Sequence, residues 1–348
     1  MAQGDTAKVG ATSWLACQQE SAYGTDACTS TAFKPLSMIS CSFKTEIESE
    51  KLSELALNRG FSKRIQKNKN VSGTLEKYAH PDEDIVLWAN ALGGTFTFAS
   101  TSAGSTYSIA SGNWGADSTV TSVSFTERKG DEHLFKYTGG VMNSLKLSCK
   151  VGEPAKLSCE YVFKDGSYTA AEMATMTAAL SFSAAQPFTF AGARYIYADS
   201  EGTAAVTATA QLIQACELEI NNNLVTDDAA RALGSRLLSA RPPSGKREVK
   251  FKITQRFDTT TALAGFLDGT EGSIQLEFVA ASIPATALVR YAIIRLPRVA
   301  HNSPDPEVAG PDVLSSEIEF DVLVSGNPGT TTSRDIGLTL QTGRTTNI

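Results

Sequence analysis

The stretch Leu157–Phe163 (LSCEYVF) returns as Leu314–Phe320 (LSSEIEF), 157 residues further along the chain. Four of the seven positions are identical, and apolar and polar residues alternate in phase in both stretches. Such alternation is typical of an antiparallel strand with one face on the core and the other in water. The two strings therefore predict a β-strand that occurs twice in an internally repeated chain.

Other short matches surround this pair and keep the same order in both halves of the chain. They are Ser13–Leu15 with Arg194–Ile196, Tyr23–Thr25 with Glu201–Thr203, Ser40–Phe43 with Ala215–Leu218, Ala56–Leu57 with Ala232–Leu233, and Ala91–Phe98 with Phe266–Phe278. Because a conserved order rarely arises by chance, we predict an internal duplication, with two unrelated β domains as the alternative. The predicted boundaries are a first copy at 1–166, a linker at 167–187, a second copy at 188–325 and a flexible C-terminal tail at 326–348.

The predicted fold class is mainly β, since alternating apolar and polar residues recur along most of the chain. Helix signals are few. Proline or N-cap residues at the start and glycine at the end predict three short packing helices, at 81–92, 229–238 and 259–267.

Charge and composition exclude several classes of function. The 348 residues include 31 Lys+Arg and 37 Asp+Glu, which gives a net charge of −6. A mildly acidic chain is not built to bind nucleic acid tightly. Only three histidines occur, and the sequence has no phosphate-binding loop, nucleophile elbow or zinc-protease motif. We therefore predict a protein that is not an enzyme and needs no cofactor or metal.

Cysteine usage and hydropathy bear on the compartment. The six cysteines form no CxxC pair, so we expect reduced thiols in a protein made in the cytosol. The N-terminal residues show no secretory signal, and no apolar run is long enough to predict a transmembrane helix.

Two long charged loops, one in each predicted copy, share the same polarity. In both loops an acidic part precedes a basic part, which favours head-to-tail contacts between units, although a solvated surface loop is the simpler alternative. The candidate stacking residues are Glu48, Glu50, Glu54, Arg59, Lys63, Arg64, Lys67 and Lys69 in the first loop, and Asp227, Asp228, Arg231, Arg236 and Arg241 in the second.

Several strings resemble the major tail tube proteins of long-tailed, non-contractile bacteriophages, and the likeness covers about residues 13–325. The strings are Leu55–Arg59, Ser62–Lys69, Val71–Glu76, Ala91–Gly94, Glu127–Asp131, Tyr137–Leu145, Lys150–Ala155 and Tyr291–Arg298. The resemblance implies two copies of a tail-tube-type β-sandwich or barrel domain, each with a short flanking helix and a long stacking loop.

This resemblance also implies a function and a set of partners. Tail tube subunits join their sheets into a closed ring, and the rings stack into a conduit for genome DNA. Since the usual ring holds six single-copy subunits, a duplicated chain predicts a trimeric, pseudo-hexameric ring. The expected partners are further copies of the chain, the terminator, tip and tape measure proteins of the tail, and viral double-stranded DNA in transit. The expected location is the virion tail, after synthesis in the host cytoplasm, with no membrane contact.

An adhesion module of a virion that recognises a host surface glycan is the alternative function. It requires an exposed aromatic platform, for which the candidates are Trp14, Trp88 and Trp114. Trp88 falls on the apolar stripe of the first predicted helix and is expected in the core, which leaves Trp114 as the candidate in a loop.

Overall fold

The protein is described from a computed structural model, in which antiparallel strands dominate. The structure describes residues 10–53, 61, 63–93, 96–101, 104–110, 121–130, 133–169, 171–200, 211–227, 230–256, 266–284, 288–303, 315–325 and 334–343.

The first half of the chain contains eleven strands and two helices within the described residues. The strands are β1 Trp14–Gln19, β2 Lys34–Leu36, β3 Ser40–Cys41, β4 Lys44–Leu52, β5 Lys63–Tyr78, β6 Phe96–Thr101, β7 Gly104–Ala110, β8 Val123–Lys129, β9 His133–Lys150, β10 Lys156–Phe163 and β11 Asp165–Thr169. The helices are α1 Ile85–Leu92 and α2 Met173–Ala178.

The second half adds seven strands to the described structure. They are β12 Ala193–Ala198, β13 Ala215–Asn221, β14 Glu248–Arg256, β15 Glu271–Ser282, β16 Val289–Ser303, β17 Ser315–Val322 and β18 Gly337–Thr342. Short 3-10 turns at Gly10–Thr12 and Phe190–Gly192 precede β1 and β12.

The order of strand pairing is the same in both halves. In the first half, neighbours follow the order β1–β8–β9–β10–β5, and β5 then pairs with β3 and β4. In the second half, the order is β12–β15–β16–β17–β14–β13. The matched string Leu157–Phe163 and the described part of its counterpart, Ser315–Phe320, thus lie on strands in equivalent positions, β10 and β17. The predicted domain boundaries themselves stay a prediction.

One of the sequence matches does not follow this order. The stretch 266–278 matches Ala91–Phe98, at the end of α1 and the start of β6, yet it leads into β15. By its pairing with β12 and β16, β15 is the counterpart of β8. The short helix-turn-strand likeness is therefore local, because a glycine turn before a strand recurs in many β proteins.

The two halves join through the sheet itself. Residues Ser144–Lys150 of β9 pair with Asn221–Ala215 of β13, and we call this junction the seam. A second junction is made by β18, which pairs with β16 on one side and with β7 of the first half on the other. The C-terminal stretch 326–348 was expected to be a flexible tail, but its described part, 334–343, contains this paired strand.

The larger of two apolar clusters among the described residues runs through both halves. This cluster of buried side chains extends from Leu15 to Leu340 and includes every apolar residue of α1. Helix α1 confirms that a helix forms here, but it begins at Ile85 and not at Pro81, so Pro81 and the acidic residues 82–84 form the turn before it. It ends at Gly93, whose left-handed φ of 60° forms the C-cap that glycine favours.

Two other predictions about helices and linkers are corrected. Over 230–238 the chain forms turns instead of a helix, because Gly234 at φ +90° interrupts it, while 228–229 lie outside the described residues. Of the third predicted helix, only Phe266–Leu267 is described, as a short helical stretch. The predicted linker holds most of β11 and all of α2, whose Met176 is buried beside Trp14.

Candidate assembly surfaces

The first predicted stacking loop is a long hairpin, formed by β4 and the first part of β5, which we call the arm. Its side chains are mostly exposed, including Ile47, Ile65 and, near the tip, Phe61, which is 65% exposed. Lys67 forms a 2.5 Å ion pair with Glu50 across the hairpin, and Asn70 donates a 2.8 Å hydrogen bond to Glu48. The acidic and basic parts of the arm therefore contact each other along its length.

The second predicted loop, 224–245, packs against the base of the arm. The Arg236 guanidinium donates to the Lys67 carbonyl at 2.9 Å, and the Lys69 N–H donates to the Arg236 carbonyl at 3.0 Å. Arg231 donates to the Asn70 side chain and to the Arg236 carbonyl. These tertiary contacts favour turns over the helix that the local sequence predicted.

The remaining candidate stacking residues fall into three groups. Lys69 is bound to Asp165 and to the Gly166 carbonyl, so it holds the arm to the body of the protein. Lys63, Arg64 and Asp227 are exposed, and Arg241 lies over the Tyr23 ring at 5.9 Å. Outside the described residues lie Glu54, Arg59 and Asp228. A role of these residues in stacking stays a prediction.

The polar side of the continuous sheet carries alternating charges, and we call it the wet face. The strand registers align its charged side chains in rows across both halves. They are Glu76, Lys146, Lys150, Lys156, Glu160, Glu217, Glu219, Glu248, Lys250, Lys252, Glu317, Glu319 and Asp321.

In the strands β5, β9, β10, β13, β14 and β17, carboxylates of the wet face outnumber its lysines, eight to five. Lys146 pairs with Glu217 across the seam at 2.6 Å, and Lys252 pairs with Glu317 at 2.6 Å. The hydrogen bond to Glu317 raises the pKa of Lys252. The wet face is therefore a mixed surface with a net negative charge.

The strands at the two ends of the sheet are the counterparts of β13 and β9, the two strands that meet at the seam. The counterpart of β13 in the first half is the stretch Ser40–Ile47, whose only strand partner among the described residues is β5. At the other end, β16 continues through His301–Ser303 beyond Ala300, where its pairing with β15 ends. Strand β9 likewise continues beyond Gly140, where its pairing with β8 ends, and there it meets β13.

Buried polar contacts hold the two halves together behind the wet face. Arg290 of β16 forms an ion pair with Asp82, in the turn before α1, at 3.2 Å. Arg247 forms a bidentate pair with Asp335 at 2.8 Å and also donates to the Leu92 carbonyl. The Asn222 amide donates to the carbonyls of Ala91 and Met142. These contacts fix the seam by anchoring α1 to the second half.

A buried cluster of charges lies at the N-terminus of α1. Lys77, on the core side of β5, contacts both Glu83 and Asp84, and all three side chains are at most 2% exposed. Burial alone lowers the pKa of Lys77, but the two carboxylates outweigh it and hold this pKa above its ordinary value. Ser37 also donates to Glu83 from its N–H and its hydroxyl, both at 2.9 Å. The cluster is thus a structural anchor for the helix.

Sequence reasoning missed the wet face and the buried polar contacts of Arg290, Arg247 and Asn222. The alternating acids of Cys216–Ile220 and Ile318–Val322 were visible as strand patterns, but their shared face follows from long-range register. The aromatic platform of the adhesion alternative is not formed by Trp14 and Trp88, which are each 5% exposed. Trp114 lies outside the described residues.

Neither a group of metal-ligand side chains nor a helix that could span a membrane occurs in the part of the chain that the structure describes. No group of three or more His, Cys, Asp or Glu side chains there is arranged to hold a metal ion. None of the helices in those residues is long and apolar enough to cross a membrane.

Comparison with known proteins gives one positive result. The model of the phage tail tube protein family matches residues 10–322, which is most of the chain. A comparison with curated proteins finds no match. The family match, the β-rich architecture and the resemblance noted in the sequence agree, and we conclude that this chain belongs to the phage tail tube protein family.

Proposed function

We propose that the chain polymerises into stacked rings of three copies, which form the conduit for genome DNA in the tail of a long-tailed, non-contractile phage. Family membership makes the chain a structural tail protein that assembles with itself and with other tail proteins in the virion. Synthesis in the host cytoplasm and contacts with the terminator, tip and tape measure proteins are part of the proposal.

The repeated strand order supports the number of chains in the ring. Each half of the chain offers one four-strand unit, β4–β5–β10–β9 and β13–β14–β17–β16, and the seam joins them within one chain. A similar junction between chains would bring β16 of one copy beside Ser40–Ile47 of the next. Three chains then supply the six units of a closed ring, and closure removes the exposed strand edges.

The wet face is the side of the sheet that we place toward the bore. The opposite side of the sheet faces the apolar core, which α1 and the strands packed on it already cover. A net negative lining repels phosphate groups, and the interspersed lysines on β9 and β14 are partly engaged by carboxylates. Such a lining lets DNA pass without holding it.

Electron microscopy of tubes assembled from the purified chain tests the ring. The expected result is hollow tubes whose rings contain three chains, with three-fold symmetry at high resolution and pseudo-six-fold symmetry at low resolution. Native mass measurement of isolated rings gives an independent count. Rings of six whole chains would contradict the trimer, and a chain that stays monomeric at high concentration with tube seeds would contradict self-assembly.

A proline in the stretch Ser40–Ile47 tests the proposed junction between chains. The Ser42 N–H donates to Thr74 on β5, so alternation along the strand directs the Thr45 N–H away from β5. Thr45→Pro removes that outward donor, and we expect folded monomers that form no rings. Thr45→Val keeps the N–H and is the matched control, which should assemble normally. Rings formed by the proline variant would exclude this edge from the junction.

A further inference from the structure

Two cysteines face each other across the seam. The register of β9 and β13 places Cys149 directly opposite Cys216, and both are thiols in this structure. The Val151 N–H donates to Gln214 two residues away, so alternation makes Cys149 and Cys216 a hydrogen-bonded pair as well. Directly opposite residues of this type have Cα atoms about 5.5 Å apart, which matches the usual Cα separation in disulfides.

The two sulfur atoms already interact. A hydrogen bond from the Cys216 thiol lowers the pKa of Cys149, while the same bond, together with burial, raises the pKa of Cys216. The nucleophilic form of a cysteine is its thiolate, so Cys149 is the first of the pair to react. Cys216 lies within reach as the second.

A cavity on the wet face lies beside this pair. Although the two residues are only 6% and 5% exposed, both line a cavity of about 290 Å³ at the seam. Lys150, Lys156 and Lys252 line the cavity together with Glu153, Glu217 and Glu317, so its charges balance. Glu153 raises the pKa of Cys149, so the hydrogen bond from Cys216 is the contact that favours the Cys149 thiolate.

We propose that Cys149 and Cys216 form a disulfide when the protein meets an oxidising medium, so that a covalent bond closes the seam between the two halves. The oxidant is a low-molecular-weight disulfide. The Cys149 thiolate attacks it and releases one small thiol, and the Cys216 thiolate then attacks the mixed disulfide and releases the second. The two cysteines each lose a proton and together lose two electrons, and the reagent disulfide is reduced to two thiols.

This disulfide would restrict the unfolded chain and would hold β9 and β13 together at the seam. It closes a loop from residue 149 to residue 216, and loops of this length give substantial stabilisation by restricting the unfolded state. In the host cytoplasm the two cysteines are then reduced thiols, as the composition predicts. In the particle outside the cell they form the disulfide.

Oxidation of the purified full-length chain with oxidised glutathione tests the proposal. After alkylation and proteolysis without reductant, mass spectrometry should find the peptides of Cys149 and Cys216 linked to each other. The melting temperature of the oxidised chain should rise by about 5 °C and return to its original value with reductant. Separate alkylation of the two cysteines, or a stable glutathione adduct on the wild-type chain, would overturn the proposal.

Two variants make the result specific. Cys216→Ser removes the second thiol, so the glutathione adduct should remain trapped on Cys149. Cys159→Ala changes another buried cysteine, outside the seam, and should leave the link between Cys149 and Cys216 intact. A linked product that survives in Cys216→Ser would assign the disulfide to a different pair. If Cys216→Ser does not fold, the peptide map of the wild-type chain still decides the question.

Discussion

Arg290 and Asp82 show how single residues join the two halves. Their side chains are 11% and 9% exposed, and Arg290 also donates to the Ser282 carbonyl at 3.0 Å. Arg290→Ala leaves a buried carboxylate without its cation, so we expect the free energy of unfolding to fall by about 3–5 kcal/mol, measured by urea titration of the monomer.

The matched control for Arg290 is an arginine on the surface of the same half. Arg194 pairs with Glu277 at 3.0 Å, but its side chain is 55% exposed. Arg194→Ala should cost no more than about 1 kcal/mol, because water screens an exposed pair. Equal losses for the two variants would show that the Arg290 contact adds nothing beyond a surface ion pair.

The buried thiol of Cys159 makes the free energy of unfolding depend on pH in the alkaline range. Burial raises the pKa of this thiol from 9.0 to about 12. Between these values the unfolded chain releases the proton and the folded chain keeps it, so stability falls as pH rises, by about 1.4 kcal/mol per pH unit for one thiol. We expect Cys159→Ala to show a shallower loss between about pH 9 and pH 11 in urea titrations. Ser158→Ala, on the wet side of the same strand, should keep the wild-type slope.

At the scale of elements, β18 joins strands that lie far apart in the sequence. Leu338 and Leu340 point into the core at 2% and 1% exposure, between β7 and β16. Leu340→Ala should therefore reduce the free energy of unfolding by about 2–5 kcal/mol through the cavity that it leaves. Thr339→Ala, on the opposite face of the strand, should have an effect within about 0.5 kcal/mol. A small effect of Leu340→Ala would indicate that β18 is dispensable, as a flexible tail would be.

Local signals predicted the elements that depend on local physics. Helix α1 follows from the apolar residues of Ile85–Leu92, the acidic turn before them and Gly93, and β10 and β17 follow from alternation. The stretch 229–238 carries a helix pattern, but Gly234, the bond of Arg231 to the Asn70 side chain and the bond of Arg236 to the Lys67 carbonyl favour turns in its described part, 230–238. Gly234 was the available signal against a helix.

The register between strands that are distant along the chain could not be predicted from the sequence. The wet face exists because Lys146 lies opposite Glu219, and Lys252 opposite Glu217, across strands that are distant along the chain. The same holds for β18, whose short alternating pattern gives no sign of its two partners. The repeat was visible in the strings, whereas the way in which the halves meet depends on the pairing of β9 with β13.

At the scale of the whole molecule, a duplicated chain differs from two separate subunits in a testable way. One of every two junctions in the proposed ring is internal and is fixed by the core that both halves share. Assembly then has to form three junctions between chains instead of six, and fewer independent copies lose rotational and translational freedom. The two kinds of junction can also differ in strength, so breakage of the ring is expected at the Ser40–Ile47 edge.

The arm is the part of the molecule that we expect to connect one ring to the next. Lys63 and Arg64 are exposed near its tip, whereas Lys69 anchors its base and should be left unchanged. The double variant Lys63→Glu, Arg64→Glu should still form rings, but the concentration needed for tubes should rise at least about tenfold, which corresponds to about 1.4 kcal/mol per contact. Sedimentation and electron microscopy measure both species. A control with Arg194→Glu reverses an exposed charge on β12 and should form tubes normally. Normal tubes from the arm variant would mean that these two cations are only solvated surface, because a stacking contact that uses them cannot survive a reversal of charge.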